Sequence, residues 1–364
     1  MTNPTLKGHS ALIVVPWPTP AEATQALRDE FPDLKVTAVH QLNWKDPDPY
    51  AHVTGEQWEE ATIVMSATAW PDPEGAPNLV FAQLPSAGAN HLADNPIFRD
   101  TDVQFCSATG VHGPQIAEWV ISTYLAFEHA LPQYLEYQRE KVWKPKAGNQ
   151  DVEDAVGKRV GILGYGAIGR QVARISIALG MSVHAYTLHE KPTPSSRRDN
   201  SYTPPGTGDP EGLLPAKWFS GSSKEDLHQF LGSGLDLVVV ALPLTDLTRG
   251  LIGKDELEAL ARGKGGSGKV FLTNIARGPI VVTDDLVEAL NGGLLRGAAL
   301  DVTDPEPLPE DHPLWRAKNV IITPHVSGNS SAYLERVLRI FSGNLRLLSE
   351  GKPLMNVINK KEGY

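Results

Sequence analysis

The sequence is poor in cysteine. Cys106 is its only one, which excludes an internal disulfide and a metal site built from several thiolates. No apolar run is long enough to cross a bilayer, and the N-terminus lacks the basic start, apolar core and cleavage site of a secretory signal. Cys106 lies in the apolar run 103–108, which predicts a packed core thiol. We expect a cytoplasmic protein in a reducing compartment, with no membrane attachment and no metal site.

An excess of basic residues is also missing. The chain has 33 Lys and Arg against 43 Asp and Glu, for a net charge of −10. This balance disfavours a general attraction to nucleic acid or to an anionic membrane. A chain of 364 residues is too long for one small core, which predicts two domains.

Short apolar runs alternate with helical patterns, which predicts an α/β architecture. In the first half, the runs 11–15, 36–39, 63–66, 79–84 and 103–108 predict a parallel sheet buried on both faces. Thr19, Pro20 and Glu22 resemble a capping box before a helix. In the second half, the predicted strands are 160–163, 182–186, 237–242, 270–274, 297–301 and 320–323, and the predicted helices are 168–179, 223–231, 254–261 and 284–291. This alternation predicts a doubly wound sheet with helices on both faces.

Four other segments interrupt or flank this alternation. Residues 114–131 and 330–348 show apolar side chains at helical spacing, which predicts two long amphipathic helices. Residues 144–151 are polar with Pro and Gly, which indicates a linker or an exposed loop. Residues 187–212 contain five prolines and predict an irregular excursion after a strand.

The segment 159–170, RVGILGYGAIGR, carries the most specific signal. An apolar run leads into Gly164-x-Gly166-x-x-Gly169, a helical pattern follows, and a second apolar run begins at 181. In this context Gly164 permits a sharp turn, Gly166 lets the backbone approach a pyrophosphate, and Gly169 lets the helix lie close to the sheet. The helix N-terminus then favours the diphosphate, so the pattern predicts a dinucleotide site. The alternative is a glycine-rich turn in another kind of α/β unit.

Three polar residues follow predicted strands of the second half: Arg277, Glu306 and His325. Ligands of open parallel sheets lie outside the carboxyl ends of the strands, where the glycine turn also lies. Taken singly, Arg277 is typical of a surface salt bridge, Glu306 of a solvated loop and His325 of a loop cap. Their occurrence together at strand ends favours catalysis.

The chain resembles the D-isomer-specific 2-hydroxyacid dehydrogenase family, with features similar to glyoxylate/hydroxypyruvate reductases. The resemblance rests on the glycine turn and, in the family's order, on the segments 241–245 with Thr248, 274–278, 299–302, 305–308 and 323–328. It implies two doubly wound α/β domains, a Rossmann nucleotide-binding domain of residues 113–325 and a discontinuous flavodoxin-like substrate domain of residues 1–112 and 326–364. It also implies a cleft between them, with His325 at the hinge. A shorter match, 86–90, resembles the family's substrate-carboxylate loop.

Residue chemistry and the resemblance agree on the catalytic roles. A hydride added to a 2-oxo acid leaves negative charge on the former carbonyl oxygen, which needs a proton donor and a cation. Arg277 offers a planar, charged fork of donors suited to a carboxylate. His325 can give or take a proton near neutral pH, and Glu306 would hold the other ring nitrogen.

The remaining site residues come from the resemblance and from the glycine turn. Ser86, Ala87 and Gly88 would bind the substrate carboxylate through backbone N–H groups, together with Arg277. Asp301 would accept a hydrogen bond from the nicotinamide carboxamide, or would only cap its strand. The predicted cofactor-binding residues are Gly164, Tyr165, Gly166, Ala167, Ile168, Gly169, Thr187, Arg197, Arg198, Leu242, Pro243, Thr248, Ile275, Ala276, Asp301 and His325.

The end of the second nucleotide-domain strand bears on the cofactor. NAD-preferring relatives usually place there an aspartate that binds the ribose 2′-hydroxyl, whereas this chain has Thr187. The nearest acid, Glu190, comes three residues later, and Arg197 and Arg198 follow in the next loop. The missing aspartate favours NADP over NAD, and the arginines can pair with a 2′-phosphate or be solvated.

The leading function is reduction of a small 2-oxo acid, such as glyoxylate or hydroxypyruvate, to the D-2-hydroxy acid. The alternatives are NAD-dependent oxidation in the opposite direction and a non-catalytic dinucleotide-sensing regulator. Formate oxidation is disfavoured because that group pairs glutamine with its histidine and this chain has Glu306. We expect a homodimer through helix 114–131. Burial of the apolar residues of this helix within one subunit would explain them equally well. Trp44, Trp70 and the loop 66–70 are candidates for the substrate side-chain pocket.

Overall fold

The computed structural model describes residues 2–17, 19–40, 52–145, 152–264, 266 and 269–360. The chain divides into two compact units. The first is Met1–Val111 with Ser331–Tyr364, and the second is His112–Ser330. The predicted nucleotide-binding segment, 113–325, lies inside the second unit, which extends to Ser330 and so contains the turn after His325.

The first unit contains a five-stranded parallel sheet in the order β2-β1-β3-β4-β5. Its strands are β1 (Ser10–Val15), β2 (Lys35–His40), β3 (Ile63–Ser66), β4 (Phe81–Gln83) and β5 (Gln104–Cys106). Its helices before the second unit are α1 (Ala21–Glu30), α2 (Gly55–Glu60) and α3 (Pro96–Arg99), with 3-10 turns at Pro73–Gly75 and Asn90–Leu92. The strand order is that of flavodoxin-like folds. β3 and most of β1 are buried, as expected for a parallel sheet covered on both faces.

Two local predictions in this unit have different outcomes. Cys106 is fully buried, as predicted, and burial raises the pKa of its thiol to about 12. The capping box predicted at Thr19 is wrong, because Pro20 is the N-cap of α1 and no side chain caps that helix. Proline has no hydroxyl to accept from the first turn, and Thr19 lies one residue outside it. Thr54 forms such a box instead, at the start of α2.

The second unit contains a seven-stranded parallel sheet in the order β12-β11-β10-β9-β6-β7-β8. Its strands are β6 (Arg159–Leu163), β7 (Ser182–Thr187), β8 (Lys217–Ser220), β9 (Leu237–Val240), β10 (Phe271–Asn274), β11 (Gly297–Leu300) and β12 (Val320–Ile322). Its helices are α4 (Gly113–Glu128), α5 (Leu131–Arg139), α6 (Ala167–Ala178), α7 (Pro194–Arg197), α8 (Lys224–Leu231), α9 (Lys254–Gly263) and α10 (Thr283–Asn291), with 3-10 turns at Gly278–Ile280 and Pro313–Arg316. This is the Rossmann strand order with one strand added beyond the sixth. The topologies of the two sheets confirm the predicted fold class.

The sequence pattern missed α5, α7 and β8 of this unit. The predicted helix 114–131 ends at Glu128, and Ala130 adopts a left-handed conformation with φ of 53° before α5 begins. β8 is a four-residue edge strand without a buried residue, so it lacks the apolar run by which a buried strand is found. The predicted excursion after β7 is irregular apart from the short α7. Of the predicted linker 144–151, residues 146–151 lie outside the described residues.

The last helix, α11 (Tyr333–Ser349), packs within the first unit and makes that unit discontinuous. Phe341 stacks on Phe81 of β4 with ring centroids 6.2 Å apart. The buried Asn344 donates from Nδ2 to Oε1 of the buried Gln83, at 3.0 Å. None of the helices in the described ranges combines the length and apolar character needed to cross a membrane.

Candidate active site

The glycine turn joins β6 to α6 at the point where the order of the sheet reverses. Gly164 has φ of 97°, and a Cβ there would lie 2.5 Å from the Ala241 carbonyl oxygen. A Cβ at Gly169 would lie 2.4 Å from the Gly164 carbonyl oxygen, so glycine lets the helix approach the strand. A Cβ at Gly166 would meet nothing within 4 Å. The turn is therefore packed on one side and open at Gly166, where a phosphate group fits.

The first turn of α6 follows directly. Gly166 is the N-cap and has no side chain to cap the helix. The first backbone N–H groups of α6 can therefore donate hydrogen bonds to an anion. Ala167 and Tyr165 are buried, and Ile168 is partly buried. The Tyr165 hydroxyl donates to Oδ2 of Asp209 at 2.8 Å, so this side chain anchors the turn to the protein.

The excursion after β7 is held against α6 by a residue that the sequence reasoning missed. Arg170 is buried and donates to the carbonyl oxygens of Asp209 at 2.5 Å and Arg197 at 2.7 Å. Its Nε lies 3.2 Å from the Asp199 carboxylate. Because these partners lie along the excursion, one guanidinium ties that segment to the helix of the glycine turn. The arginine that ends the motif, GYGAIGR, was the available signal.

The predicted cofactor-specificity residues lie at the end of β7 and beyond. Thr187 ends the strand, and its hydroxyl donates to the His189 carbonyl at 2.8 Å. Arg197 donates from Nε to the Lys191 carbonyl at 2.8 Å, and its guanidinium lies 5.6 Å from the centre of the Trp218 ring. Arg198 is 59% exposed and forms an ion pair with Glu211 at 2.8 Å. Arg197 is thus held in place, whereas the charge of Arg198 is partly compensated.

Two loops after β9 and β10 carry further predicted residues. Thr248 donates to the Pro243 carbonyl at 2.7 Å, which closes the loop that begins at Leu242. After β10, the buried Asn274 accepts from the Ala276 backbone N–H at 3.0 Å and donates to the Arg277 carbonyl at 3.0 Å. Asn274 therefore shapes the turn that presents Arg277.

Arg277 is brought next to the segment after β11. A Cβ at Gly278 would lie 1.8 Å from the Thr303 carbonyl oxygen, so only glycine permits this close approach of the two loops. Burial lowers the pKa of the Arg277 guanidinium, and the nearby Glu306 carboxylate opposes that shift. A partly buried arginine beside a carboxylate remains a cation suited to an anionic ligand.

His325 lies in the turn after β12 and faces Glu306. Nδ1 of His325 and Oε1 of Glu306 are 2.7 Å apart. The two side chains are 46% and 41% exposed, so both are open to a ligand. The second unit thus brings Arg277, Glu306 and His325 together at the carboxyl edge of its sheet, although they are far apart in sequence.

Asp301 follows β11 and is buried, with 1% of the residue exposed. Its carboxylate accepts hydrogen bonds from Thr323, Val326 and Ser327 in the turn that carries His325. In the structure this side chain accepts hydrogen bonds from protein donors that follow β12 and not from the end of its own strand.

The first unit holds the predicted carboxylate loop after β4. The Ser86 hydroxyl donates to the Gly88 carbonyl at 2.8 Å, which closes a tight turn around Ala87. The Tyr333 hydroxyl donates to the Pro85 carbonyl at 2.5 Å, and the Trp17 ring packs edge-on against Tyr333 at 5.9 Å. Trp17 follows β1, and Tyr333 begins α11, so the sequence pattern did not associate either of them with this loop.

The expectation that Trp70 lines a substrate pocket is wrong. Trp70 is 2% exposed and packs against Phe105, with ring centroids 5.1 Å apart, so it belongs to the core of the first unit. In the loop 66–70, the buried Ser66 hydroxyl accepts from the Ala69 backbone N–H at 3.1 Å. Trp44 lies outside the described residues. Across the residues that the structure describes, no group of three or more His, Cys, Asp or Glu is arranged to hold a metal.

Comparison with known proteins places these features in context. A family model described as D-isomer specific 2-hydroxyacid dehydrogenase, NAD binding domain, matches residues 121–205 and 216–327. A hydroxypyruvate reductase from Blautia hydrogenotrophica is 28% identical over 291 residues, which cover 79% of this chain and 80% of that protein.

Solved structures resemble the whole chain. A D-isomer specific 2-hydroxyacid dehydrogenase from Xanthobacter autotrophicus, in complex with NADPH and MES, has a TM-score of 0.72 and 27% identity, covering 97% of this chain and 99% of that one. A D-isomer specific 2-hydroxyacid dehydrogenase family protein from Aeromonas salmonicida has a TM-score of 0.72 and 26% identity, covering 97% of this chain and 100% of that one. Both units are therefore present in these relatives.

Proposed function

Since the chain belongs to the D-isomer specific 2-hydroxyacid dehydrogenase family, and is therefore an oxidoreductase, we propose that it reduces a small 2-oxo acid to the D-2-hydroxy acid. Glyoxylate and hydroxypyruvate are the proposed substrates, and NADPH is the proposed reductant. The observation that carries this proposal is the 2.7 Å contact between His325 and Glu306 beside the partly buried Arg277. An acid, its carboxylate partner and a cation are what reduction of a 2-oxo acid requires.

His325 is the proposed acid. Glu306 holds Nδ1, which leaves Nε2 as the ring nitrogen that exchanges a proton with the substrate. When bound, the reduced nicotinamide supplies a hydride to C2 of the 2-oxo acid. As the carbonyl becomes an alkoxide, His325 gives it a proton and becomes neutral, and solvent then restores that proton. Oxidation of the hydroxy acid uses the same atoms in reverse.

Arg277 is the proposed substrate anchor. Its planar fork of N–H donors matches a carboxylate, and partial burial of the side chain strengthens the attraction. We assign the second hold on the carboxylate to backbone N–H groups of Ser86, Ala87 and Gly88 in the first unit, which we propose as the substrate domain. The second unit is then the nucleotide-binding domain.

The residues of the second unit fit a dinucleotide. The open side of the turn at Gly166 and the uncapped start of α6 suit the pyrophosphate. The loops that carry Leu242, Pro243, Ile275 and Ala276 follow neighbouring strands of the same sheet, and we assign these residues to the nicotinamide half. Thr248 supports them by closing its loop on Pro243.

NADP is proposed over NAD for two reasons. Thr187 ends β7 with a neutral side chain, so no carboxylate at that position repels a 2′-phosphate. Arg197 is anchored in the following segment and offers a guanidinium that the Lys191 carbonyl engages only at Nε. Arg198, already paired with Glu211, is the weaker candidate for that phosphate. The similar Xanthobacter structure contains NADPH.

We propose that the protein forms a homodimer, but through a surface other than the predicted helix 114–131. Ile116, Val120 and Tyr124 of α4 are buried in the core of the second unit, so they supply no exposed apolar face. Exposed apolar side chains occur instead on and after α5, at Leu131, Leu135, Val142 and Trp143. We propose that a second copy covers them, and that the protein works in the reducing cytoplasm. Light scattering of the wild type and of Leu135→Glu tests the dimer.

A panel of 2-oxo acids of increasing size, assayed with NADPH and with NADH, tests the catalytic proposal. The expected result is turnover of glyoxylate or hydroxypyruvate with NADPH and formation of the D-enantiomer from hydroxypyruvate. Binding of NADPH without turnover of any 2-oxo acid would overturn the proposal in favour of a dinucleotide-sensing regulator. Preferred oxidation of D-2-hydroxy acids with NAD would reverse the proposed direction and cofactor.

A further inference from the structure

In the segment 85–89, which contains the proposed carboxylate loop, the carbonyl groups and the N–H groups have different partners. Protein donors hydrogen-bond to four of its carbonyl oxygens, those of Pro85, Ser86, Gly88 and Ala89. The backbone N–H groups of Ser86, Ala87 and Gly88 donate to no protein group within the ranges that the structure describes. Pro85 is buried, whereas residues 86–88 are partly exposed. The loop therefore turns carbonyl groups toward protein and leaves N–H groups for an anion.

Planarity of the peptide group connects the two sets of groups. The C=O of Pro85 and the N–H of Ser86 belong to one trans peptide group, so they point in opposite directions. A donor that holds the Pro85 carbonyl therefore also fixes the direction of the Ser86 N–H. In the same way, the Ala108 backbone N–H donates to the Ser86 carbonyl at 2.8 Å and fixes the direction of the Ala87 N–H.

The donor at Pro85 is a side chain from a distant part of the first unit. The hydroxyl of Tyr333, the first residue of α11, donates to the Pro85 carbonyl at 2.5 Å. The Tyr333 ring packs edge-on against Trp17, with ring centroids 5.9 Å apart. Burial raises the pKa of the Tyr333 hydroxyl to about 12, so the hydroxyl keeps its proton near neutral pH and remains a donor. Residues after β1, after β4 and at the start of α11 thus fix one peptide group.

We propose that Tyr333 is a positioning residue for the substrate carboxylate. Its hydroxyl holds the Pro85–Ser86 peptide group in the orientation that presents the Ser86 N–H to the carboxylate, and Trp17 holds the ring of Tyr333. This inference rests on the proposed function of residues 86–88. Without the hydroxyl, a buried carbonyl is left without a donor, which costs more than the hydrogen bond contributes. The peptide group then turns toward another donor, and the carboxylate loses an N–H contact.

Tyr333→Phe tests the proposal because it keeps the ring beside Trp17 and removes only the donor. We expect KM for glyoxylate or hydroxypyruvate to rise about five- to tenfold, the effect of one lost hydrogen bond, and kcat to change less than KM. The dissociation constant of NADPH should keep its wild-type value, because the cofactor does not depend on this loop.

Tyr186→Phe is the matched control. The Tyr186 hydroxyl also donates to a backbone carbonyl, that of Gly221 at 3.0 Å, but in the second unit. This variant removes the same kind of hydrogen bond and should leave KM for the 2-oxo acid unchanged. Equal changes of KM in Tyr333→Phe and Tyr186→Phe would reflect a general loss of stability and would overturn the positioning role.

Binding of a substrate analogue gives a readout that does not require turnover. Oxamate carries the carboxylate of a 2-oxo acid but has an amide in place of the reducible carbonyl group. Its dissociation constant is measured by titrating the complex of the enzyme with NADPH and following the nicotinamide fluorescence. We expect oxamate to bind about five- to tenfold more weakly to Tyr333→Phe than to the wild type, and equally well to Tyr186→Phe and the wild type. Equal oxamate affinity in Tyr333→Phe and the wild type would overturn the inference.

The same titration separates the inference from the proposed function. Weaker oxamate binding in Tyr333→Phe, together with no 2-oxo acid turnover by the wild type, would support the positioning role and overturn the proposed function. Turnover by the wild type, with equal oxamate affinity in Tyr333→Phe, would support the proposed function and overturn the positioning role. If Tyr333→Phe does not fold, Trp17→Leu removes the ring contact and keeps the hydroxyl, and it is expected to weaken oxamate binding by a smaller factor. Wild-type oxamate affinity in Trp17→Leu would then overturn the inference.

Discussion

The Oε1 atom of Glu306 lies 2.7 Å from Nδ1 of His325, although 19 positions separate the two residues in the chain. Both side chains are close to half exposed, and Arg277 lies within electrostatic reach of the same carboxylate. This relationship links three strand ends into one candidate centre.

Removing either the acid or the cation is expected to stop catalysis without unfolding the protein. His325→Ala and Arg277→Ala should each lower kcat/KM by two to three decades, since loss of a preorganised charge-stabilising group costs about 3–4 kcal/mol. Circular dichroism and thermal melts should match the wild type. A His325→Ala enzyme that keeps most of its kcat would contradict the assignment of His325 as the acid.

Glu306→Gln tests the partner of the histidine. The amide keeps the size of the side chain but removes the negative charge that stabilises a protonated imidazole. Because the Glu306 carboxylate also holds the ring at Nδ1, kcat for reduction should fall in Glu306→Gln. Steady-state rates of Glu306→Gln and the wild type check this. A wild-type kcat in Glu306→Gln would show that the hydrogen bond has no part in the proton transfer.

The glycine turn offers a pair of substitutions with opposite expectations. Gly169→Ala places a methyl group 2.4 Å from a backbone oxygen, and it should destabilise the fold by about 1–3 kcal/mol. Gly166→Ala meets nothing within 4 Å, so it should keep the melting temperature and weaken only dinucleotide binding. Gly55→Ala, also in open space but in the first unit, is the control for both measurements. Equal NADPH affinity in Gly166→Ala and the wild type would contradict the binding of the pyrophosphate at this turn.

Thr187→Asp is expected to exchange the cofactor preference. A carboxylate at the end of β7 can accept from the ribose 2′-hydroxyl of NADH and repels a 2′-phosphate. The ratio of kcat/KM for NADPH to that for NADH should fall about tenfold or more, the value of one hydrogen bond to a charged group. Arg197→Ala should lower the same ratio, whereas Arg198→Ala should change it less because Glu211 already pairs with Arg198. A wild-type enzyme that prefers NADH would contradict the argument from Thr187.

Some of this architecture follows from local sequence. The strand, turn and helix at 159–178 are contiguous, and the roles of Gly164 and Gly169 concern neighbours within the same unit of structure. The predicted strands of both sheets were found because buried parallel strands are continuous apolar runs. The placement of Arg277, Glu306 and His325 at one edge of the sheet could be predicted because each follows such a run, and parallel strands bring their carboxyl ends to one edge.

Other features depend on contacts between distant segments. No local pattern distinguishes Trp70, which packs on Phe105 in the core, from a tryptophan that lines a pocket. Arg170 tethers the excursion at Arg197, and Tyr333 reaches Pro85 across 248 positions of sequence. The break between α4 and α5 likewise occurs at Ala130, a residue with no turn signature.

By itself, the sequence determined the alternation of strands and helices, the dinucleotide turn and the identity of the charged groups at the strand ends. Each of these features depends only on residues that are neighbours in the chain. Only the tertiary structure decided that Asp301 faces the turn of His325 and that Glu306 faces its ring. The physical reason is that a carboxylate takes its role from the donors that surround it. Those donors are brought to it by the pairing of strands and by the close approach of loops.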